Sequence, residues 1–291
     1  MSMPANRGLV SASDPVDQTS PSVTLTFVSY GVCIRLQAPD ATWLAELEQR
    51  LPPGWRLADR SRADCTFSVA PHAPGFVSRT AWQHGDRIAS TPVMSRHQLS
   101  GVLESQIRLL VAEHAPKHVF VHAGVVGWGG VAIVLPGRSF AGKTTLGAEM
   151  IRRGATYYSD EYAVLDAQGR VHPFAKPLSI RESGIWQQRE WPVEKLGGRA
   201  GKKPLRVGLV VASHYETGAS WRPKRLSAGE GVLALLNHTV SVRRQPKRAL
   251  DVLGRVVAQA TVFEGVRGEA EELIDEIVRN LHYRDACLGV E

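Results

Sequence analysis

Residues 119–145 read Val119-Phe120-Val121-His122-Ala123-Gly124-Val125-Val126-Gly127-Trp128-Gly129-Gly130-Val131-Ala132-Ile133-Val134-Leu135-Pro136-Gly137-Arg138-Ser139-Phe140-Ala141-Gly142-Lys143-Thr144-Thr145. Two apolar runs, Val119–Val126 and Val131–Leu135, flank a glycine-rich turn, the pattern of a β-hairpin. The second run leads into Gly137-x-x-x-x-Gly142-Lys143-Thr144, which satisfies the GxxxxGK[ST] pattern of a phosphate loop in full, and a helix follows to about Arg153. Glycines let the backbone curl so that its N–H groups point at phosphate oxygens, and the helix directs its positive end at the same charge. The candidate nucleotide-binding residues are Gly137, Arg138, Ser139, Phe140, Ala141, Gly142, Lys143, Thr144 and Thr145. Lys143 would reach the β- and γ-phosphates of ATP, and the Thr144 hydroxyl would ligate Mg²⁺. Most phosphate loops leave a parallel sheet, whereas this one leaves an antiparallel hairpin.

Downstream, the expected strand Ala155–Ser159 ends in Asp160-Glu161, and another follows over Ala163–Asp166. A carboxylate at that strand end is placed to hold Mg²⁺ or to take a proton from an attacking hydroxyl. Lys195–Arg206 is rich in glycine and lysine and reads as a mobile loop. Leu205–Ala212 reads as a buried strand, Ser227-Ala228-Gly229-Glu230 as a capping box, and Pro246–Gln259 and Gly268–His282 as amphipathic helices.

Upstream, residues 1–21 read as a flexible tail and 22–117 as a small α+β module, with the phosphate-loop domain over 118–291. In the module, Val23–Phe27 and Val32–Leu36 alternate as strands do, and Asp40 caps a helix carrying Trp43, Leu44, Leu47 and Leu51. Cys65–Val69, Phe76–Trp82 and Arg87–Thr91 read as strands. Ser95-Arg96-His97-Gln98 is a second capping box, opening a helix that Pro116 stops. No chemistry is visible in this module.

The 291 residues carry 35 Lys+Arg against 28 Asp+Glu, a net charge of +7, which favours anionic partners. At 43% hydrophobic and 22% charged, the composition excludes a wholly disordered chain. Cys33, Cys65 and Cys287 are too scattered for a disulfide framework or a structural zinc site. The first twenty residues hold no apolar signal core and no run approaches a membrane span, so a cytoplasmic protein without membrane association is expected.

Taken together, the His122 strand, the loop, Arg152-Arg153-Gly154-Ala155 and Ser159-Asp160-Glu161 resemble the kinase domain of the HPr kinase/phosphorylase family, and more closely its HPr-kinase-related branch. The resemblance spans roughly residues 118–182. It implies an α/β (α+β) fold like that of phosphoenolpyruvate carboxykinase, with the phosphate loop embedded in a mixed sheet. By position it implies Asp160 as general base, His122 as the histidine beside the acidic pair, and Lys143 and Thr144 as phosphate and metal residues. Glu161 stands where bifunctional members carry a second Asp, and keeps the charge of a metal ligand. Pro177-Leu178-Ser179-Ile180-Arg181 resembles a segment of the related branch, which makes Arg181 a candidate substrate contact. The segment linked to phosphorolysis is not matched by Gly197-Gly198-Arg199-Ala200, so a kinase without phosphorylase activity is expected.

The expected acceptor is a serine hydroxyl of a protein or peptide, such as a natural-product precursor. A small hydroxylated molecule would suit the same chemistry. A nucleotide-gated nucleic-acid binder is the reading from another class. Arg222, Lys224, Arg225, Arg243, Arg244, Lys247 and Arg248 supply charge for it, but no aromatic-interleaved motif accompanies them, which argues against nucleic acid. The sequence leaves the oligomeric state open, a homo-oligomer included.

Overall fold

The computed structural model describes residues 23–59, 62–73, 77–84, 87–138, 141–181 and 188–278. The expected tail over 1–21, Ser139 and Phe140 of the loop, and the last helix beyond 278 lie outside them. The chain divides into two compact units between Pro116 and Lys117. Both are mixed α/β structures with mixed sheets.

In the first unit, strands β1 (Val23–Ser29) and β2 (Val32–Ala38) form an antiparallel hairpin. Helix α1 (Ala41–Glu48) starts where Asp40 accepts the Trp43 N–H, and it buries Trp43 and Leu47. Then come β3 (Arg56–Leu57), β4 (Cys65–Ala73), β5 (Val77–His84), β6 (Arg87–Ser90) and β7 (Met94–Ser95). The sheet order is β3-β1-β2-β4-β5-β6, with β7 beside β5. Helix α2 (Arg96–His114) opens on the expected Ser95/Gln98 capping box and buries Leu99, Leu103, Ile107 and Val111, one stripe at helical spacing. Cys33 and Cys65 are buried free thiols, and burial pushes the Cys65 thiol up to about 12, so it is inert at neutral pH.

The second unit opens on the hairpin of β8 (Val119–Trp128) and β9 (Val131–Pro136), paired from Trp128↔Val131 to Ala123↔Pro136. Gly129 and Gly130, at φ 53° and 77°, make its two-residue turn. Helix α3 (Lys143–Arg152) follows the loop, and β10 (Thr156–Ser159) and β11 (Tyr162–Leu165) run in line, both antiparallel to β8. Next are β12 (Arg170–His172), β13 (Leu178–Arg181), β14 (Gln188–Trp191), β15 (Leu205–Tyr215) and β16 (Lys224–Arg225). The chain continues through α4 (Ala228–Leu236), α5 (Pro246–Gln259), β17 (Thr261–Arg267) and α6 (270–278).

Strand β15 lies parallel to both β9 and β17 and antiparallel to β12. The pairings β8–β9–β15–β12–β11–β8 therefore close on themselves. Alternation sorts β8 into two faces. Val119, Val121, Ala123 and Val125 join one core with Val252, Leu253, Val256 and Val257 of α5, while Val126 joins a second core with Leu146, Met150 and Ile151 of α3 and Leu273, Ile274 and Ile277 of α6. Each Val, Leu, Ile or Met side chain so buried contributes about 1.5–3 kcal/mol. Ser227/Glu230 caps α4 as expected.

The 195–206 run is largely irregular, as expected of a loop, but part of it is bonded to β10. A 3₁₀ turn at Val193–Leu196 leads to a stretch that lies along β10: Tyr157 N–H donates to Arg199 O (2.9 Å) and Gly201 N–H to Tyr157 O (2.7 Å). Its glycines serve close packing, since a Cβ at Gly198 would lie 2.3 Å from Ile151 and one at Gly201 2.3 Å from the Tyr158 ring. Glycine and lysine content signals a loop, but it does not distinguish a solvated loop from one pressed onto a sheet.

Candidate functional site

Strand β8 carries the site between its two edges. On one edge, β9 brings Pro136 opposite Ala123, and the Gly137 N–H donates to His122 O (3.3 Å). On the other, the line of β10 and β11 breaks at Asp160-Glu161, and the Ala123 N–H donates to Glu161 O (3.1 Å). Ser159 makes the break: its Oγ accepts the N–H groups of Glu161 (3.1 Å) and Tyr162 (2.9 Å). Neighbouring strands lie about 4.8 Å apart, so the start of the loop and the acidic pair flank β8 roughly 10 Å from one another.

Where the loop meets the helix, the backbone turns as Gly142 implies. Gly142 is left-handed (φ 77°, ψ 16°) and Lys143 begins α3, the alternation that turns successive N–H groups to one side. Lys143 is only 9% exposed, and its Nζ donates to Gly137 O (2.9 Å) and Arg138 O (2.7 Å). Burial brings its ammonium down to about 8, against the opposing pull of Asp160 and Glu161. Thr144 and Thr145 lie in the first turn of α3, Thr144 half-buried and Thr145 exposed; Arg138 is exposed at the loop.

Asp160 is held on every side. Its side chain is 6% exposed; Oδ2 accepts the Ser179 N–H (3.1 Å), and the Lys176 ammonium lies 3.4 Å from Oδ1 and 3.8 Å from Glu161 Oε2. The Tyr157 hydroxyl lies 3.2 Å from Oδ1 and 2.8 Å from the Lys176 carbonyl, so its one proton serves either acceptor. Burial and the Asp160 charge push that phenol well above its usual range. Beneath this cluster Phe120, Tyr162 and Phe174 meet edge to face, and the His122 ring lies 6.0 Å from that of Tyr162.

His122 is held neutral. Burial, then the charge of Lys143 and the neighbouring His238, lower it to about 4, and Asp160 only partly opposes them. His238 is also lowered, by burial and by Lys143 and Arg138. The two histidines share a backbone contact, His122 N–H to His238 O (2.7 Å).

The charges of Lys143 and Asp160 thus act on His122, and those of Asp160 and Glu161 on Lys143. Arg181 ends β13, two residues beyond the Ser179 that holds Asp160, with its backbone paired to Gln188. The sequence reading passed over Tyr157, Lys176, His238 and Arg267, the last buried at the end of β17 with its Nη2 3.2 Å from Gly142 O. Lys176 sits one residue before the Pro177–Arg181 segment, the only signal among the four; the others lie outside any motif.

These residues fit a Mg²⁺–nucleotide. The Lys143 ammonium is folded onto loop carbonyls from which a phosphate charge would draw it, and buried carboxylates stand across β8. Among the described residues no three His, Cys, Asp or Glu side chains converge; Mg²⁺ at such a site takes one or two protein oxygens and completes its shell with phosphate and water. Among the same residues no helix is long and apolar enough to cross a membrane. No protein-family model matches the chain, and no curated protein matches it in sequence.

Proposed function

We propose that this protein is an ATP- and Mg²⁺-dependent kinase of the HPr-kinase-related kind, built on a phosphoenolpyruvate-carboxykinase-like domain. It transfers the γ-phosphate to a serine hydroxyl of a protein or peptide and does not run the phosphorolytic reaction. The supporting observation is that Asp160, 6% exposed and fixed by Tyr157, Ser179 and Lys176, flanks the same strand as the loop and acts on the charge of Lys143. A base and a phosphate cradle are then held by rigid elements, which phosphoryl transfer requires above all.

Bound Mg²⁺ supplies positive charge against the donor phosphates. The amides of 137–145 cradle those phosphates, and Lys143 leaves its two carbonyls for the β- and γ-oxygens. Thr144 and Glu161 hold the cation. Asp160 orients the acceptor hydroxyl and takes its proton as the new O–P bond forms, while the bond to the ADP oxygen breaks and ADP leaves with the electron pair. Neutral His122 adds no charge beside Lys143, which leaves that ammonium to the phosphates. Dependence on ATP is in keeping with a cytoplasmic enzyme.

Purified protein, Mg²⁺ and γ-labelled ATP are incubated with the polypeptides encoded by adjacent genes and, separately, with a panel of small hydroxyl compounds, and the label is located by mass spectrometry. Label on a serine supports the proposal. Label on a small hydroxyl corrects the acceptor. ATP that is neither bound nor consumed refutes the kinase.

A further inference from the structure

We infer that Arg267 is a positioning residue of the phosphate loop, one that aims the Gly142 and Lys143 amides at the polyphosphate. The inference rests on the kinase reading above. Arg267 ends β17, opposite Tyr215 on the parallel strand β15, and is 3% exposed. Its Nη2 lies 3.2 Å from Gly142 O and 3.5 Å from Ala141 O, and its Nη1 donates to Gly268 O (2.9 Å). Its guanidinium carbon sits 5.2 Å from the centre of the Tyr215 ring.

The planarity of the peptide bond turns these contacts into a statement about the loop. In a trans peptide the carbonyl and the following N–H point in opposite directions. A cation that holds the Ala141 carbonyl on one side sends the Gly142 N–H to the other. The Gly142 carbonyl also accepts the Leu146 N–H of α3 (3.1 Å), so the helix and Arg267 together turn the Lys143 N–H the same way. These are the amides on either side of the left-handed residue, the arrangement that grips an anion. Gly142 is committed twice: its φ favours glycine, and a Cβ there would lie 2.2 Å from Arg267 Nη2.

Arg267 is not an ordinary structural arginine. Its Nε is buried and makes no hydrogen bond, and among the described residues no carboxylate lies within ion-pair distance of it. Its charge is set against carbonyl dipoles and the more distant Glu269, and burial lowers its pKa. A buried cation so poorly balanced is stabilised when an anion arrives nearby. Lys143 grips the loop at Gly137 and Arg138 and is free to leave; Arg267 grips it at Ala141 and Gly142 from behind.

The test measures binding of ATP, ADP and adenosine by calorimetry to the wild type, Arg267→Met and Arg267→Lys, with the unfolding midpoint of each protein recorded without ligand. Losing one charged hydrogen bond corresponds to about tenfold in affinity. Arg267→Met is expected to weaken ATP about tenfold and leave adenosine unchanged, with ADP between them and Arg267→Lys partly restored. Should the Met variant fail to fold, the Lys variant carries the same comparison, since one ammonium cannot replace a forked guanidinium. A lowered midpoint with an unchanged ATP-to-adenosine ratio makes Arg267 a fold residue and overturns the inference alone. A wild type that does not distinguish ATP from adenosine overturns the kinase reading and this inference with it.

Discussion

Replacing Lys143 by Met tests the site before any substrate is known. Burial holds the Lys143 ammonium at about 8 instead of 10.5. At about 1.36 kcal/mol per pH unit, that interval is about 3 kcal/mol of penalty on the charged form in the folded protein. Below pH 8 folded and unfolded chains both carry the proton, and the penalty stands in full. Between pH 8 and 10.5 the folded chain releases its proton first, the unfolded chain binds more, and stability rises with pH. Above 10.5 the rise ends. Lys143→Met lacks this limb, so wild-type stability minus variant stability should climb by about 3 kcal/mol over that window. At pH 7 the variant escapes the penalty but loses two carbonyl partners worth about 1 kcal/mol each, so the midpoints there differ by only a few degrees. Urea unfolding of ligand-free protein in steps from pH 7 to 11 measures the difference, and other titrating groups cancel in the subtraction. Parallel curves would refute the buried ammonium and the loop geometry that buries it. ATP-induced stabilisation, measured at pH 7, should disappear in the variant whatever the alkaline result.

Asp160→Asn should keep the nucleotide-dependent rise in unfolding midpoint and lose transfer by at least a hundredfold, since the loop is intact and the base is gone; equal turnover would place the proton acceptor elsewhere. His122, held near 4 against an ordinary 6.5, favours the fold above pH 6.5, and its share is lost as pH falls from 6.5 to 4. His122→Gln should flatten that acid limb of the stability curve, and an unchanged limb contradicts the assignment. Lys176→Met leaves two buried carboxylates without their shared ammonium and should lower stability by about 1–3 kcal/mol. Millimolar Mg²⁺ without nucleotide should restore more of the midpoint in this variant than it adds to the wild type.

Local rules in the sequence reached far into this fold. The β8–β9 hairpin, both Ser-x-x-Gln/Glu capping boxes and the bounds of α5 follow from alternation, turn glycines and helix-start chemistry, all set within a few residues. Strand β17 was missed because Gly265 interrupts its alternation and it follows α5 with scarcely a turn; its strand character comes from β15, some fifty residues away. The packing of the 195–206 loop went unseen because shape against Tyr158 and Ile151, not composition, holds it to β10. In the site, the loop and Asp160 stood out as a motif and its spacing. Lys176, His238 and Arg267 acquire their surroundings only when distant strands come together, and no local pattern marks them.

The ring of pairings through β8, β9, β15, β12 and β11 gives each of these five strands a partner on both flanks over part of its length. Over those doubly paired stretches a foreign strand can template itself only by prising the ring apart. Amide deuterium uptake along β8 and β9 should therefore keep pace with whole-domain opening, while the Gly142 and Lys143 amides at the start of α3 exchange by local excursions. Nucleotide would read out as slowed exchange confined to those few amides, a footprint against an otherwise silent sheet.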